Sequence, residues 1–221
     1  MLVSEIVRKV PGPLSPKDEL ADLFREDFEE GIDYLAVVEE NKFLGFLPLA
    51  DLETEKEINK NVGECDLEKV DKPATAGQHF FEVLVLFRKA NLPVLPVLDE
   101  KGDYDGFILL GQALEALSDS YAFQTEGGVI VLSVMMNDYS LSEISRLVEA
   151  NQSKILAVVA EADPLAQERL IVHLKINQKD LSRIVATLER FDYQVVEVHH
   201  KSESTSLDQE RLDLLMKYLG I

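Results

Sequence analysis

The side chains in this sequence that most often act as nucleophiles or metal ligands are one cysteine and four histidines. Their spacing does not fit a catalytic or zinc site. Cys65 lies in a predicted turn without a paired histidine motif, so a catalytic thiol is not expected. His199 and His200 are adjacent and would point to opposite faces of a strand, which prevents joint chelation. No spacing matches a structural zinc site among the histidines, which are His79, His173, His199 and His200.

A second candidate is the acidic run from Asp99 to Gly106, which superficially resembles a calcium-binding loop. Alignment on Asp99 places Lys101 at a ligand position and Tyr104 where the turn glycine belongs, so the calcium pattern fails and a solvated hairpin turn is predicted. The sequence also contains no glycine-rich phosphate loop and no nucleophile elbow. We therefore expect a protein that is not an enzyme and holds no metal.

Composition limits the partners. The chain has 221 residues, 46% of them hydrophobic, and a formal net charge of −19, which describes a globular protein of one large or two to three small domains. Lysine and arginine do not cluster along the sequence, so nucleic acid and anionic membranes are poor partners. The longest apolar run is too short to span a bilayer, no export signal is visible, and a single cysteine suits a reducing compartment. We expect a cytoplasmic protein.

An internal repeat organises the first half of the chain. Leu95 lies in an apolar, β-prone run that is followed by a charged turn and Gly106. The same sequence pattern occurs earlier, around Leu35 and Gly45. The later turn is one residue longer. Each copy reads as strand–helix–strand–strand–helix and would be marginal alone, so the copies are expected to pack together with approximate two-fold symmetry. The predicted boundaries are residues 1–60 and 61–118.

Each copy also contains a predicted capping box and an apolar helix. Ser15 with Asp18, and Thr75 with Gln78, have the spacing of helix starts. The first helix has one apolar stripe, Leu20, Leu23, Phe24 and Phe28. The second, from Phe80 to Phe87, is apolar on nearly every side, which predicts burial all round, between the copies or at a dimer interface.

The second half of the chain predicts a separate unit. After a linker at 119–128, residues 129–201 read β-α-β-β-α-β, the order of a ferredoxin-like sheet with two helices on one face. Residues 206–221 predict a C-terminal amphipathic helix with Leu212, Leu215, Met216 and Leu219 on one face. The expected fold class is mixed α/β (α+β).

Two family resemblances follow from these stretches. Leu95–Glu100 with Gly106–Ile108, and Leu35–Glu39 with Gly45–Leu47, resemble a tandem pair of CBS domains (a Bateman module), which senses adenosine-containing ligands. Residues 129 to about 200 resemble an ACT domain, a ferredoxin-like module that often binds amino acids at dimer interfaces. This order of domains is similar to bacterial acetoin-utilisation regulatory proteins. The resemblance implies a regulatory protein that forms a homodimer.

The CBS ligand signature is only partly present. The resemblance implies that Asp51 contacts the ribose hydroxyls, whereas Pro48 replaces the hydroxyl residue that meets phosphate. In the second copy Leu109 and Gln112 stand at the hydroxyl and carboxylate positions, so both polar groups of the signature are lost. The walls of the first site would be the segments near Leu14, Leu35 and Ala36. AMP, ATP or S-adenosylmethionine are the implied ligands, although the net charge disfavours polyphosphates.

The ACT effector loop departs similarly from its family. The loop corresponds to Asn137, Asp138, Tyr139 and Ser140, and Tyr139 stands where the family has a glycine. A tyrosine side chain there would occupy space that a bound amino acid uses. Two interpretations of this loop remain open. It forms an amino-acid effector site, or the domain is degenerate and serves dimerisation through its sheet edges.

Two functional hypotheses therefore stand side by side. In the first, the chain is a non-catalytic regulatory protein that senses a small molecule and possesses no obligatory cofactor. In the alternative, both ligand sites are vestigial and the chain controls a partner by docking on it.

Overall fold

The computed structural model describes residues 2–23, 31–50 and 60–199. The chain divides into two compact units, Met1–Leu117 and Ser118–Ile221. In the described part, no helix has the length and apolar character needed to cross a membrane.

The first unit contains the two copies of the repeat. The first copy contributes α1 (Leu20–Leu23), β1 (Tyr34–Glu39) and β2 (Lys42–Pro48). The second contributes β3 (Ala74–Thr75), α2 (Phe80–Ala90), β4 (Val94–Leu98), β5 (Tyr104–Leu109) and α3 (Leu110–Ser118). The predicted stripe residues Phe24 and Phe28, like the segment 51–59, lie outside the described residues.

The two β-hairpins have the same irregularity at the same place. Strands β1 and β2 are antiparallel with a register shift after Val37, which faces Gly45. Strands β4 and β5 are antiparallel with a register shift after Val97, which faces Gly106. A β-bulge repeated at equivalent positions indicates duplication of a whole supersecondary unit, because bulges are specific features of a fold. The internal repeat is therefore confirmed.

The copies exchange their leading segments. Val3 N–H donates to the carbonyl oxygen of Gln78 at 3.0 Å, and in the equivalent place Val62 N–H donates to Asp18 at 2.9 Å. Val3 is fully buried in the core of the second copy, whereas Val62 is fully buried in the core of the first. Each copy thus completes its core with residues that precede the other, which ties the two into one folding unit.

The exchange continues along both leading segments. Arg8 and Phe107 join their backbones by two hydrogen bonds, of 2.8 and 3.0 Å. Glu68 and Phe46 do the same, at 2.8 and 2.9 Å. These bridges lie at the strand positions next to Gly45 and Gly106, where the missing side chain lets the two backbones approach.

The helices start later than the capping boxes predict. Ser15 N–H donates to Asp18 Oδ2 at 2.7 Å, but α1 begins at Leu20. Carbonyl oxygens of this turn accept hydrogen bonds from the exchanged segment, including Pro16 from Gly63 N–H at 2.8 Å. The turn after the box is thus hydrogen-bonded to the exchanged segment, and the helix begins after it.

The second copy shows the same delay. Thr75 N–H donates to Gln78 Oε1 at 3.0 Å, yet α2 begins at Phe80, with His79 as its N-cap. The imidazole Nδ1 of His79 accepts from Phe81 N–H at 3.2 Å. The predicted starts at Ser15 and Thr75 are therefore wrong as helix caps, although the side-chain contacts do form.

Helix α2 is buried on one side only. Phe80, Val83 and Phe87 enter the core of the second copy, whereas Phe81 is 65% exposed and Val85 is 50% exposed. The helix is not buried all round within the chain as described, whereas its burial at a dimer interface stays a prediction. Although the helix is apolar on nearly every side, only one stripe of its side chains packs into the core.

The Asp99 turn forms as a hairpin turn. Asp99 Oδ1 accepts from Lys101 N–H and from Asp103 N–H, each at 2.8 Å. The hydrogen bond from Asp103 is the main cause that holds the pKa of the Asp99 carboxyl below its usual range, against some desolvation. Lys42, in the turn of the first hairpin, donates to Asp103 Oδ1 at 2.7 Å and so joins the two turns.

The second unit is a four-stranded antiparallel sheet in the order β7–β8–β6–β9. Its elements are α4 (Tyr121–Gln124), β6 (Gly128–Met135), α5 (Leu141–Glu149), β7 (Ile155–Ala162), β8 (Arg169–Ile176), α6 (Ser182–Arg190) and β9 (Gln194–His199). The core is buried between the sheet and the two longer helices, and its largest side chains are Ile130, Leu132, Ile144, Leu147 and Leu174. The ferredoxin-like arrangement is confirmed.

The predicted linker contains structure, and the chain end lies outside the description. Within 119–128, α4 forms one helical turn, and Lys175 Nζ donates to the carbonyl oxygen of Phe123 at 3.1 Å. The predicted C-terminal helix, 206–221, lies outside the described residues, as does His200.

Candidate functional site

The first unit contains a cleft at the end of β5 and the start of α3, which we call the β5–α3 cleft. It encloses about 370 Å³. Both copies contribute to its wall, and the lining residues are Arg8, Gly31, Asp33, Tyr34, Pro93, Leu109, Gly111, Gln112 and Glu115.

Equivalent backbone hydrogen bonds fix the two sides of the β5–α3 cleft. Leu49 N–H donates to the carbonyl oxygen of Asp33, and Leu110 N–H donates to that of Pro93, both at 2.8 Å. Tyr34 begins β1, and its ring meets Phe46 edge-on with centroids 6.4 Å apart. The ring of Tyr34 is therefore held in place by a core aromatic, which suits a flat ligand surface.

Gln112 supplies a polar group that lacks a partner. It is the third residue of α3, and its Oε1 is the buried side-chain polar atom of the described residues that has no hydrogen-bond partner. Leaving a buried acceptor unpaired costs about 1–3 kcal/mol. An atom of this kind at the wall of a cleft is a candidate contact for a bound molecule or an ordered water.

The charge of the β5–α3 cleft is mixed. Arg8 is the cationic residue of the lining, and Asp33 and Glu115 are the acidic ones. The backbone at Arg8 is fixed by its two hydrogen bonds to Phe107. A lining with one cationic and two acidic residues disfavours a triphosphate.

The predicted wall residues of the first copy lie close together. Leu14 N–H donates to the carbonyl oxygen of Ala36 at 2.8 Å, and Val38 N–H donates back to Leu14 at 2.8 Å. Leu35 and Ala36 are both buried in the core of the first copy. Asp51, the predicted ribose contact, lies outside the described residues.

Sequence reasoning missed most of the β5–α3 cleft. It singled out Leu109 and Gln112 as signature positions, and both line the cleft. It interpreted the glutamine as the loss of a polar group, whereas the amide supplies one. Arg8, Asp33 and Tyr34 carried no sequence signal, because their approach to the second copy depends on the exchange of leading segments.

A second hollow lies at one end of the ferredoxin-like sheet, and we call it the Arg169 hollow. It encloses about 440 Å³. Arg169 Nε donates to Ser133 Oγ at 2.7 Å, and Nη2 donates to Ser133 O and to Gln194 Oε1, each at 2.9 Å. The lining residues are Ser133, Val134, Met135, Asp138, Glu143, Arg169, Phe191, Asp192, Tyr193 and Gln194.

Acidic side chains line the Arg169 hollow together with the guanidinium. Asp138, Glu143 and Asp192 line it, and Tyr193 donates its hydroxyl proton to Glu143 Oε2 at 3.2 Å. Burial, followed by the charge of Glu143, raises the pKa of the Tyr193 hydroxyl. The tyrosine therefore stays a protonated donor at neutral pH. The hollow offers one cation and three anions, which suits a ligand that carries both a carboxylate and an amine.

The four predicted effector-loop residues separate in the structure. Asp138 lines the Arg169 hollow, and Asn137 is exposed beside it. Tyr139 packs its ring against the core of the unit and does not line the hollow. Ser140 caps α5, because its Oγ accepts from Glu143 N–H at 3.4 Å.

No metal site accompanies these two hollows. Within residues 2–23, 31–50 and 60–199, no group of three or more histidine, cysteine, aspartate or glutamate side chains is placed to hold a metal ion.

Comparison with known proteins finds one family match, which lies in the first unit. Residues 3–55 match the CBS domain family. No curated protein sequence matches the chain. The second copy, outside this match, repeats the hairpin and bulge of the first.

Three solved structures are weakly similar to about half of the chain. A CBS domain pair/ACT domain protein from Thermotoga maritima is 20% identical, covers 55% of this chain and 99% of its own, and has a TM-score of 0.47. The cytosolic domain of the Mg²⁺ channel MgtE in complex with ATP is 24% identical over 50% of this chain and 46% of its own, with a TM-score of 0.44. CBSX2 in complex with AMP is 19% identical over 52% of this chain and 95% of its own, with a TM-score of 0.44. The chain is a mixed α+β protein whose first unit contains a match to the CBS domain model, at residues 3–55, and whose second unit is ferredoxin-like.

Proposed function

We propose that the chain is a non-catalytic regulatory protein whose CBS pair binds an adenosine-containing molecule in the β5–α3 cleft. The observation that carries this proposal is the buried, unpartnered Oε1 of Gln112 at a signature position. Ribose hydroxyls and the exocyclic amine of adenine are donors that would satisfy it. The match of the first copy to the CBS family supports an adenosine ligand over other molecules with the same donors.

The size and charge of the β5–α3 cleft narrow the ligand class. A volume of about 370 Å³ lies within the range of about 300–1,000 Å³ that is usual for small-molecule sites. Tyr34, Pro93 and Leu109 offer apolar surface to a base, and two carboxylates in the lining disfavour a polyphosphate. We therefore favour AMP or S-adenosylmethionine over ATP.

Regulation follows from the shared wall of the cleft. Tyr34 belongs to the first copy and Gln112 to the second, so a ligand between them favours whichever arrangement of the copies it fits better. A ligand can shift such an equilibrium only by its difference in affinity for the two arrangements. A partner protein that contacts one arrangement would then sense the ligand.

Replacement of Gln112 by leucine is expected to weaken AMP binding about tenfold, because the ligand donor then loses its acceptor at a cost of about 1–3 kcal/mol. Isothermal titration calorimetry with AMP measures the change. Gln167→Leu, at an exposed position of the second unit, is the matched control and should bind like the wild type. Equal affinities in wild type and Gln112→Leu would contradict the proposed site.

The Arg169 hollow supports a second function, the binding of a free amino acid. The two N–H groups of Arg169 Nη1 donate to none of the described residues, so they can receive a carboxylate. Asp138 and Asp192 can receive the ammonium group. The site proposed lies within one subunit, whereas the sequence resemblance suggests a dimer interface.

An amino acid that fits the Arg169 hollow is expected to raise the thermal stability of the wild type, by about 2.7 kcal/mol at a hundredfold excess over Kd. Thermal unfolding with each of the common amino acids tests this expectation. Arg169→Gln should abolish the shift, and amines that lack the carboxylate should give none. Stabilisation that survives in Arg169→Gln would contradict the site.

Vestigial sites and a docking role remain the competing function. If neither nucleotides nor amino acids bind, the functional unit is a homodimer or a complex with a protein partner. Light scattering measures the molar mass and so tests whether the chain forms the homodimer.

A further inference from the structure

Three lysines line one hollow, which lies between residues 69–72 and the last turn of α2. This hollow encloses about 180 Å³, and we call it the lysine hollow. Asp71 is its one acidic residue, and Leu86 and Ala90 provide an apolar wall. The three cations are Lys69, Lys72 and Lys89.

These three ammonium groups have no partner within the described residues, although the chain has 41 acidic side chains. Other lysines of the first unit do pair, as Lys9 does with Asp105 and Lys42 with Asp103. For Lys69, Lys72 and Lys89, no described carboxylate lies within ion-pair distance, Asp71 included. Three exposed cations that line one hollow and have no described ion-pair partner can attract a mobile anion.

The backbone beneath these lysines is fixed on both sides. Just before Lys69, the backbone of Glu68 makes its two hydrogen bonds to Phe46, and just after Lys72 strand β3 pairs with β4. Helix α2, which carries Lys89, is anchored by the buried side chains of Val83 and Phe87. The three attachment points therefore hold their spacing, which lowers the cost of gathering the amines around an anion.

We propose that the lysine hollow binds a phosphate group, either as inorganic phosphate or as a small phosphomonoester. Lysine acts as a point charge toward phosphate, and several of them offset a dianion. The volume fits one phosphate with a few carbon atoms, which would rest on Leu86 and Ala90. The lysine hollow shares no lining residue with the β5–α3 cleft, so the proposal does not depend on the nucleotide site.

The test is calorimetry with inorganic phosphate and with glycerol 3-phosphate at constant ionic strength. The combined variant K69Q/K72Q/K89Q should weaken binding at least about tenfold, since each lost cation removes a few-fold. The variant K17Q/K101Q/K154Q changes net charge equally at exposed lysines elsewhere and should bind like the wild type. Tighter binding of the ester than of phosphate identifies the apolar wall as part of the site.

Asp71→Asn tests the proposal by an expected gain in phosphate affinity. A misfolded variant would lose affinity and so could not produce this result. Removal of the one carboxylate in the lining should tighten phosphate binding about threefold. The proposal is overturned if the wild type shows no phosphate binding, if K69Q/K72Q/K89Q binds as the wild type does, or if Asp71→Asn fails to tighten binding.

Discussion

Gly106→Ala is expected to destabilise the first unit by about 3 kcal/mol or more, as is typical of an overpacked, immobile contact. A Cβ at this position would lie 2.3 Å from the carbonyl oxygen of Arg8 and 2.9 Å from Val7 Cγ2. Arg8 cannot move away freely, because its backbone makes two hydrogen bonds to Phe107. Urea unfolding, followed by circular dichroism, measures the loss.

A second glycine in the same unit provides the control. Nothing lies within 4 Å of the Cβ position of Gly111, which is in α3, so Gly111→Ala should stabilise by about 0.5–1 kcal/mol through helix propensity. Opposite signs at the two positions are the expected result. If Gly106→Ala is as stable as the wild type, then the exchanged segment does not lie against β5.

The neighbouring residues Phe80 and Phe81 allow a second large effect to be tested with the same substitution. Phe80→Ala is expected to cost about 3–5 kcal/mol, because it empties a site in the core of the second copy where the side chain is 1% exposed. The same urea titration gives the free energy of unfolding.

Phe81→Ala is the matched control, because the side chain of Phe81 is 65% exposed. A change within about 0.5 kcal/mol is expected for an exposed side chain. Similar losses for Phe80→Ala and Phe81→Ala would show that the outer face of α2 is covered in solution, as the all-round burial inferred from sequence would require.

Local patterns in the sequence were sufficient for the elements and the repeat. The alternation of apolar residues in Arg169–Ile176 and the turn at Asp99 are short-range features, and both form as predicted. The matching bulges opposite Gly45 and Gly106 follow from the same duplication. Such features depend on neighbours along the chain, which explains why a single sequence predicts them.

Long-range pairing could not be predicted in the same way. Nothing in the residue types near Val3 or Val62 indicates that each segment completes the core of the other copy. Both helices begin after the turns that these segments contact. The exchange also makes Arg8 part of the β5–α3 cleft, where no motif places it.

The lysine hollow and the Gln112 side chain show the same limit. Lys89 is distant in sequence from Lys69 and Lys72, so the chain shows no basic cluster until it folds. Gln112 departs from the CBS signature, which led sequence reasoning to discount a position whose amide oxygen is buried without a partner.

The central claim is that an adenosine-containing molecule occupies the β5–α3 cleft and uses the side chain of Gln112. Titration of AMP into isotopically labelled protein, followed by NMR of the Gln112 side-chain amide, tests it directly. A saturable shift of that amide, absent at Gln167, is the predicted result. Saturation elsewhere with an unchanged Gln112 amide, or no response to AMP and S-adenosylmethionine at any residue, would contradict it.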